Sequence, residues 1–297
     1  MMATESLFED RVDRAVKAFA LVSVGWRIGV ALSGDDSYGV LLYLSRRVPK
    51  ENLVAMTIQE SDRTSRPEDV ALCRAIAKDL GVTHEVFTFK DLYGVTLEEL
   101  ASVSERTPAS RSIPVCALCI GLRNDGLALA ATRLGLDALA DGYNADDWAG
   151  NLVRDFLFGP SLFRPEELAT EMPFGVKRLE GRVLKVSPFS FMRKRETQEY
   201  VDAFHPRAFP EYRCPYAGLL QRAEVRQVSR LIDQLWPDAL VGLVGRGLAP
   251  RAERTPCLRC GLLAPANSRA RLCRVCWAAE VLGLRASGQQ AEGRPAS

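Results

Sequence analysis

Residues 27–46 read R-I-G-V-A-L-S-G-D-D-S-Y-G-V-L-L-Y-L-S-R, and the fold is decided here. Ile28, Val30 and Leu32 alternate with small or apolar neighbours, the pattern of a short, largely buried strand. Ser33, Gly34, Asp35 and Asp36 break that pattern, and from Ser37 onward Val40, Leu41 and Leu44 fall at helical spacing. A strand that passes through a polar turn into a helix can offer backbone N–H groups and the positive end of the helix to an anion. Ser33 and Ser37 add hydroxyl donors. The plainer alternative is an ordinary βα loop closed by a serine cap.

The alternation extends in both directions. Residues 7–20 have the periodicity of an amphipathic helix that shields a sheet. Residues 53–56, extended by Ile58, read as a second buried strand, with a polar loop at 59–65. Pro67 opens a helix that carries Glu68 and Asp69 in its first turn, and Gly81 ends it. Cys73 on that helix reads as a core thiol. A third strand at 82–89 carries His84 on its surface, a short helix covers 96–103, and 106–112 predicts a mobile flap. A helix at 119–134 is closed by Gly135, and a short strand at 138–140 ends in D-G-Y-N-A-D-D at 141–147. The next helix runs from Asp146 towards Leu157. Strands and helices alternating at these lengths predict an α/β fold, a parallel sheet with helices on both faces. Residues 159–190 have no clear period, and Phe163, Phe174, Val183 and Phe189 are expected to dock against the main domain. Further helices are read at 193–203 and 221–235. The second places Arg222, Arg226 and Arg230 on one face, either a solvated face or a grip for RNA phosphates.

With 297 residues, 47% hydrophobic and 26% charged, the chain has the composition of a soluble globular protein and can bury a full core. A formal charge of +2 removes any global electrostatic case for nucleic-acid binding and leaves room for a local basic surface. There is no run of about eighteen apolar residues, so no membrane span is expected. The first ten residues are acidic and lack the apolar core of a signal peptide, which predicts a cytoplasmic protein.

Six of the eight cysteines fall into three C-x-x-C pairs, which favours metal or redox chemistry over a disulfide framework. Cys257 and Cys260, then Cys273 and Cys276, give the spacing C-x2-C-x12-C-x2-C. Four thiolates in two close pairs match tetrahedral structural zinc, in a segment with too few apolar residues to fold unaided. Arg259, Arg269, Arg271 and Arg274 make this module basic and suited to contact RNA. Cys116 and Cys119 follow Pro114 just before a helix, where a thiol is more acidic and more reactive. They read as a redox pair, as two ligands of an iron–sulfur cluster, or as half of a zinc site. Cys214 would bring the number of thiolates to three, too few for closed zinc but right for a [4Fe–4S] cluster with one open iron. Asp141, Asn144, Asp146 and Asp147 lie where a strand meets a helix, placed to touch a nucleotide or its magnesium, or else to form an Asx turn and an acidic N-cap.

Taken in order, these motifs resemble those of the PP-loop pyrophosphatase family, and within it the tRNA 2-thiolation enzymes of the TtcA and TtuA type. The signature S-G-G-x-D-S has its counterpart in Ser33, Gly34, Asp35, Asp36 and Ser37. The family's C-x-x-C looks like Cys116 and Cys119, with Arg123 as its downstream arginine. Its G-H-N-x-D-D looks like Gly142, Tyr143, Asn144, Ala145, Asp146 and Asp147, and its E-C-P-Y matches Cys214, Pro215 and Tyr216, with Arg213 in place of the acid. With the C-terminal finger included, the resemblance spans about residues 8–277. It implies an adenine-nucleotide alpha-hydrolase-like (HUP) sheet. ATP and magnesium would be bound by Ser33, Gly34, Asp35, Asp36, Ser37, Gly142, Asn144 and Asp147. Catalysis would fall to Cys116, Cys119, Cys214 and Asp146, with a [4Fe–4S] cluster on the three cysteines and zinc on Cys257, Cys260, Cys273 and Cys276. The implied reaction adenylates the C2 oxygen of a pyrimidine in tRNA and releases pyrophosphate. A sulfur species, supplied by a donor protein or as sulfide, then displaces AMP; a persulfide on the cysteines is the alternative route.

The departures from the family pattern gather at the site. The loop is one residue short, carries an added aspartate and lacks the lysine often found there. Tyr143 stands for His, Trp148 for Glu and Asn124 for a second Arg, and the N-terminal Cys/His finger of the TtuA branch has no counterpart. Two further readings follow: a catalytically degenerate partner subunit or RNA-binding protein, and an enzyme that thiolates a small molecule other than tRNA. The expected organisation is an N-terminal helix at 1–21, a nucleotide-binding core at 22–160, a helical tRNA-contacting region at 161–245, the zinc finger at 254–282 and a disordered tail at 283–297. A homodimer or heterodimer is expected.

Overall fold

The computed structural model describes residues 2–18, 20–106, 115–158, 176–177, 183–204, 214–216, 222–236, 239, 254–256, 258–259, 263–265, 272, 276 and 280. Helix α1 (Met2–Ala18) precedes strand β1 (Ile28–Ala31), which leads through Ser33 and Gly34 into α2 (Asp35–Ser45). There follow β2 (Leu53–Gln59), α3 (Pro67–Asp79), β3 (Thr83–Thr88), α4 (Phe89–Tyr93), α5 (Leu97–Arg106), α6 (Val115–Arg133), β4 (Ala138–Ala140) and α7 (Ala145–Phe158). The order closes with β5 (Val176–Lys177), β6 (Leu184–Val186), α8 (Lys194–Phe204), α9 (Arg222–Leu235), β7 (Arg254–Pro256) and β8 (Leu263–Pro265).

The main sheet has the order β3-β2-β1-β4-β6-β5, all parallel except β5, and β7 pairs with β8 in a separate antiparallel ribbon. Side chains alternate across the sheet into two cores, as the period of a strand requires. Ile28, Val30, Leu53, Ala55, Ala138 and Ala140 enter one core with residues of α1, α2, α3 and α8. Val54, Met56, Ile58 and Leu139 enter the other with residues of α4, α5 and α6. Withdrawing each large side chain from water contributes about 1.5–3 kcal/mol, which fixes the helices to the two faces. Phe189 docks as expected, fully buried with its ring centroid 5.2 Å from that of Phe8. Val183 is buried too. The C-terminal end of α2 is tied to α1 by polar contacts: Tyr43 Oη donates to Asp13 at 2.6 Å and Arg46 Nη1 to Glu9 at 2.7 Å. Tyr200 of α8 also donates to Glu9, at 2.6 Å.

Three sequence expectations change. The sheet does not stop at residue 160: β6 pairs parallel with β4, with Lys185 opposite Leu139. A three-residue strand centred on a lysine has no periodicity to read. Helix α6 begins at Val115, so Cys116 and Cys119 lie on it and not ahead of it. His84 is not a bare surface residue: its Nε2 lies 2.9 Å from the Thr57 hydroxyl, and that hydroxyl donates to the Leu32 carbonyl at 2.8 Å. Burial, with Arg74 nearby, lowers the His84 pKa to about 4, so the ring is neutral. Residues 107–112 of the expected flap, Phe163, Phe174, the stretch at 242–253, the tail at 283–297, and Cys257, Cys260 and Cys273 lie outside the described residues, as do the side chains of Arg222, Arg226 and Arg230.

Candidate functional site

From β1 the chain crosses to β2 and β3 on one side, while β4 and β6 lie on the other. The carboxyl ends of β1 and β4 therefore flank the topological switch point, where sheets of this kind leave a crevice. A cleft of about 380 Å³ opens there. Ser33, Gly34, Asp35, Asp36 and Ser37 line it on one side, Asp141, Gly142, Tyr143 and Asp147 on another, and Arg123 and Asn124 on a third.

The loop after β1 is held by Ser37. Its hydroxyl accepts from the N–H groups of Ser33 at 2.9 Å and Gly34 at 3.1 Å, and donates to the Gly34 carbonyl at 2.8 Å. The serine thus shapes the loop and engages two of its amides. The first turn of α2, with the positive end of its dipole, faces the cleft. Gly142 lies directly over this turn. A Cβ there would come within 2.6 Å of the Ser37 nitrogen and 2.8 Å of the Asp36 carbonyl carbon, so only glycine permits the approach. The two sequence motifs, more than a hundred residues apart, are thereby pressed together.

The second loop combines capping with site geometry. Tyr143 N–H donates to Asp141 Oδ1 at 3.2 Å, an Asx turn. Asn144 caps α7 reciprocally, accepting from Asp147 N–H at 3.1 Å and donating its own N–H to Asp147 Oδ2 at 3.3 Å. Asn144 is fully buried, and its Nδ2 has no hydrogen-bond partner among the described residues. Burial, reinforced by the neighbouring Asp36, raises the Asp147 pKa to about 6. Asp146 takes a role apart from the cleft lining. It accepts from the Lys194 N–H at 2.8 Å and the Arg193 Nε at 3.3 Å and so caps α8, which does not fit the catalytic expectation for it.

Two lysines from later in the chain pair with aspartates of the two loops. Lys194 Nζ sits 2.5 Å from Asp36 Oδ2, and Lys185 Nζ sits 3.1 Å from Asp141 Oδ2. The sequence marked the start of α8 only as a partly basic helix, and nothing in it tied Lys185 to the sheet.

Cys119 lies one helical turn from Arg123 of the cleft lining, and Cys116 about a turn further along α6. Cys119 and Arg123 stand four residues apart on α6 and so share a face. Arg123 Nη1 approaches the buried Glu60 carboxylate at 3.5 Å. Glu60, in the polar loop after β2, also accepts from the Ser65 hydroxyl. Burial and then the charge of Glu60 push the Cys119 thiol up to about 12, with Cys116 and Cys214 adding to the rise. The three thiols therefore feel one another, and Tyr216, two residues after Cys214, packs against the α4–α6 core. The expected acidic thiol is corrected: burial and Glu60 outweigh the Arg123 guanidinium. Among the described residues no three His, Cys, Asp or Glu side chains are arranged to hold a metal ion.

No family model matches the chain. Cytoplasmic tRNA 2-thiolation protein 1 of Saccharomyces cerevisiae is 24% identical over 305 residues, covering 96% of this chain and 80% of the relative. tRNA 2-thiolation protein NcsA of Haloferax volcanii is 26% identical over 262 residues, covering 82% and 74%. The likeness to tRNA 2-thiolation proteins thus runs over most of this chain and most of these relatives. Among solved structures, the U34-tRNA thiolase NcsA of Methanococcus maripaludis, solved with its [4Fe–4S] cluster, shares the fold at a TM-score of 0.69 and 20% identity, covering 93% of this chain and 88% of that one. The parallel sheet with flanking helices expected from the sequence is thus the fold shared with that thiolase.

Proposed function

We propose that this chain is an ATP-dependent sulfur transferase that adenylates and thiolates C2 of a pyrimidine in tRNA. The observation that carries the reading is the placement of Arg123 and Cys119 on one face of α6, because it joins the nucleotide cleft to the thiols within one helical turn. The relatives' names give the acceptor as tRNA and the compartment as the cytoplasm, and we carry both over.

The N–H groups of the first turn of α2 bind the pyrophosphate of ATP, with Ser33 beside them and Ser37 keeping the loop in shape. The partnerless Asn144 Nδ2 offers a buried donor to the nucleotide. Asp36 Oδ1, buried and without a hydrogen-bond partner, and the charge-strained Asp147 carboxyl suit a magnesium ion. The base oxygen attacks the α-phosphorus, and pyrophosphate departs. A carbonyl oxygen is a poor leaving group, whereas AMP is a good one, so adenylation prepares C2 for sulfur. Arg123 offsets the negative charge that gathers between the nucleotide and the thiols.

Cys116, Cys119 and Cys214 do not converge on one ion position, but a [4Fe–4S] cluster spreads its irons over a larger site, and these three thiolates would hold it with one iron left open to sulfur. The finger cysteines 257, 260, 273 and 276 are assigned to zinc by their spacing. The sulfur comes from a donor protein or from sulfide. Among the described residues no helix is long and apolar enough to cross a membrane.

Mass-spectrometric profiling of tRNA nucleosides from cells with and without the gene tests the proposal. One thiolated pyrimidine should vanish on deletion and return with the wild-type gene but not with C119A. Unchanged tRNA with ATP binding intact would point to a small-molecule acceptor, and unchanged tRNA without ATP binding to an inactive partner subunit.

A further inference from the structure

Lys194 stands at the N-terminus of α8, and its ammonium reaches back across the cleft rim to the first turn of α2, where it meets Asp36 at 2.5 Å. Burial works against that charge, but Asp36, Asp147 and Asp35 together outweigh it and hold the lysine pKa above its ordinary value. Asp36 spends only one oxygen on the pair. Its Oδ1 is buried with no hydrogen-bond partner among the described residues. The phosphate loop has no lysine of its own, and Asp36, the aspartate that precedes Ser37, captures one from 158 positions away. An aspartate in the first turn of a helix is already favoured by the dipole and does not need a lysine to be stable there.

Resting on the ATP site proposed above, we infer that Lys194 is the phosphate-binding cation of this chain and that Asp36 keeps it at the loop until nucleotide arrives. On binding, the ammonium exchanges the carboxylate for a phosphate oxygen. Asp36 then turns both oxygens to the divalent cation that accompanies the nucleotide. One ion pair becomes two charge-assisted contacts, so the Asp36 charge is converted from a repulsion into a ligand. Lys194 would touch the nucleotide itself, whereas Asp36 positions the lysine in the free protein.

Titration calorimetry of the full chain with a non-hydrolysable ATP analogue, in chelator and then in magnesium, tests the exchange. K194M should weaken binding by about tenfold or more in both conditions, the size expected for one charge-assisted hydrogen bond. K194R should recover part of the loss. D36N should act in the opposite direction without metal, tightening binding by about threefold or more because the lysine is released. It should also lose most of the gain that magnesium gives the wild type. Unfolding cannot produce that tightening, and a merely structural pair would move both variants the same way. Wild-type binding that K194M leaves intact, or metal-free binding that D36N weakens, would overturn the inference alone. No binding by the wild type would overturn the nucleotide site and the inference with it.

Discussion

Cys119 carries two opposed influences, and their outcome sets its chemistry in the metal-free protein. Burial and the Glu60 carboxylate favour the thiol and prevail, at about 12, over the Arg123 guanidinium, which favours the thiolate. At pH 8 iodoacetamide should therefore alkylate Cys119 at least about a hundredfold more slowly than a free cysteine, as read by peptide mapping over time. E60Q should speed the reaction, because it removes the second largest cause of the shift. Comparable labelling of Cys119 and an exposed cysteine would refute this. The sequence made the C-x-x-C pair and its downstream Arg123 plain. It could not foretell the sign of the pKa shift, because Glu60 reaches the pair only through the sheet.

At the scale of elements, the strand–turn–helix of residues 27–46 was legible because its apolar period changes from two to about 3.6 at one short polar break. The D-G-Y-N-A-D-D loop was legible as a site for the same reason, at the end of an apolar strand. What could not be read was the contact between the two. Gly142 makes it, and G142A tests it: a Cβ 2.6 Å from backbone nitrogen must push α2 and the loop apart. We expect a stability loss of about 1–3 kcal/mol by denaturant unfolding, with weaker nucleotide binding. An alanine variant as stable as the wild type and equally able to bind ATP would show that the two loops do not need this approach. β6 escaped detection because three residues carry no period, yet it fixes Lys185 in register against Leu139. A slip of one residue would turn Lys185 to the other face of the sheet.

Across the whole molecule, charge pulls stability in two directions. Around α1 the contacts gain from ionised carboxylates. The Arg47 hydrogen bond, aided by Tyr43, holds Asp13 below the usual carboxylate range. Burial opposes Glu9, but hydrogen bonds from Tyr200 and Arg47 outweigh it and lower its pKa as well. That support is present above the ordinary carboxylate pKa and is lost as the pH falls through the depressed values. Asp147 acts the other way. Its pKa is raised from 3.8 to about 6, so its ionisation costs the folded state nothing in strong acid and most above pH 6. In the absence of nucleotide and magnesium, D147N should therefore raise the unfolding free energy at pH 8, by up to about 3 kcal/mol, and leave it almost unchanged near pH 4. Equal effects at both pH values would contradict the assignment. The carboxylates of the cleft come from residues 35–147, while Lys185, Arg193 and Lys194, which balance them, all follow in the next fifty positions. A chain still leaving the ribosome has thus made all the cleft's acids while Arg123 is the sole lining cation yet in place. On the proposed reading, competence for nucleotide arrives late in synthesis, when β6 brings Lys185 beside β4 and α8 follows with Lys194.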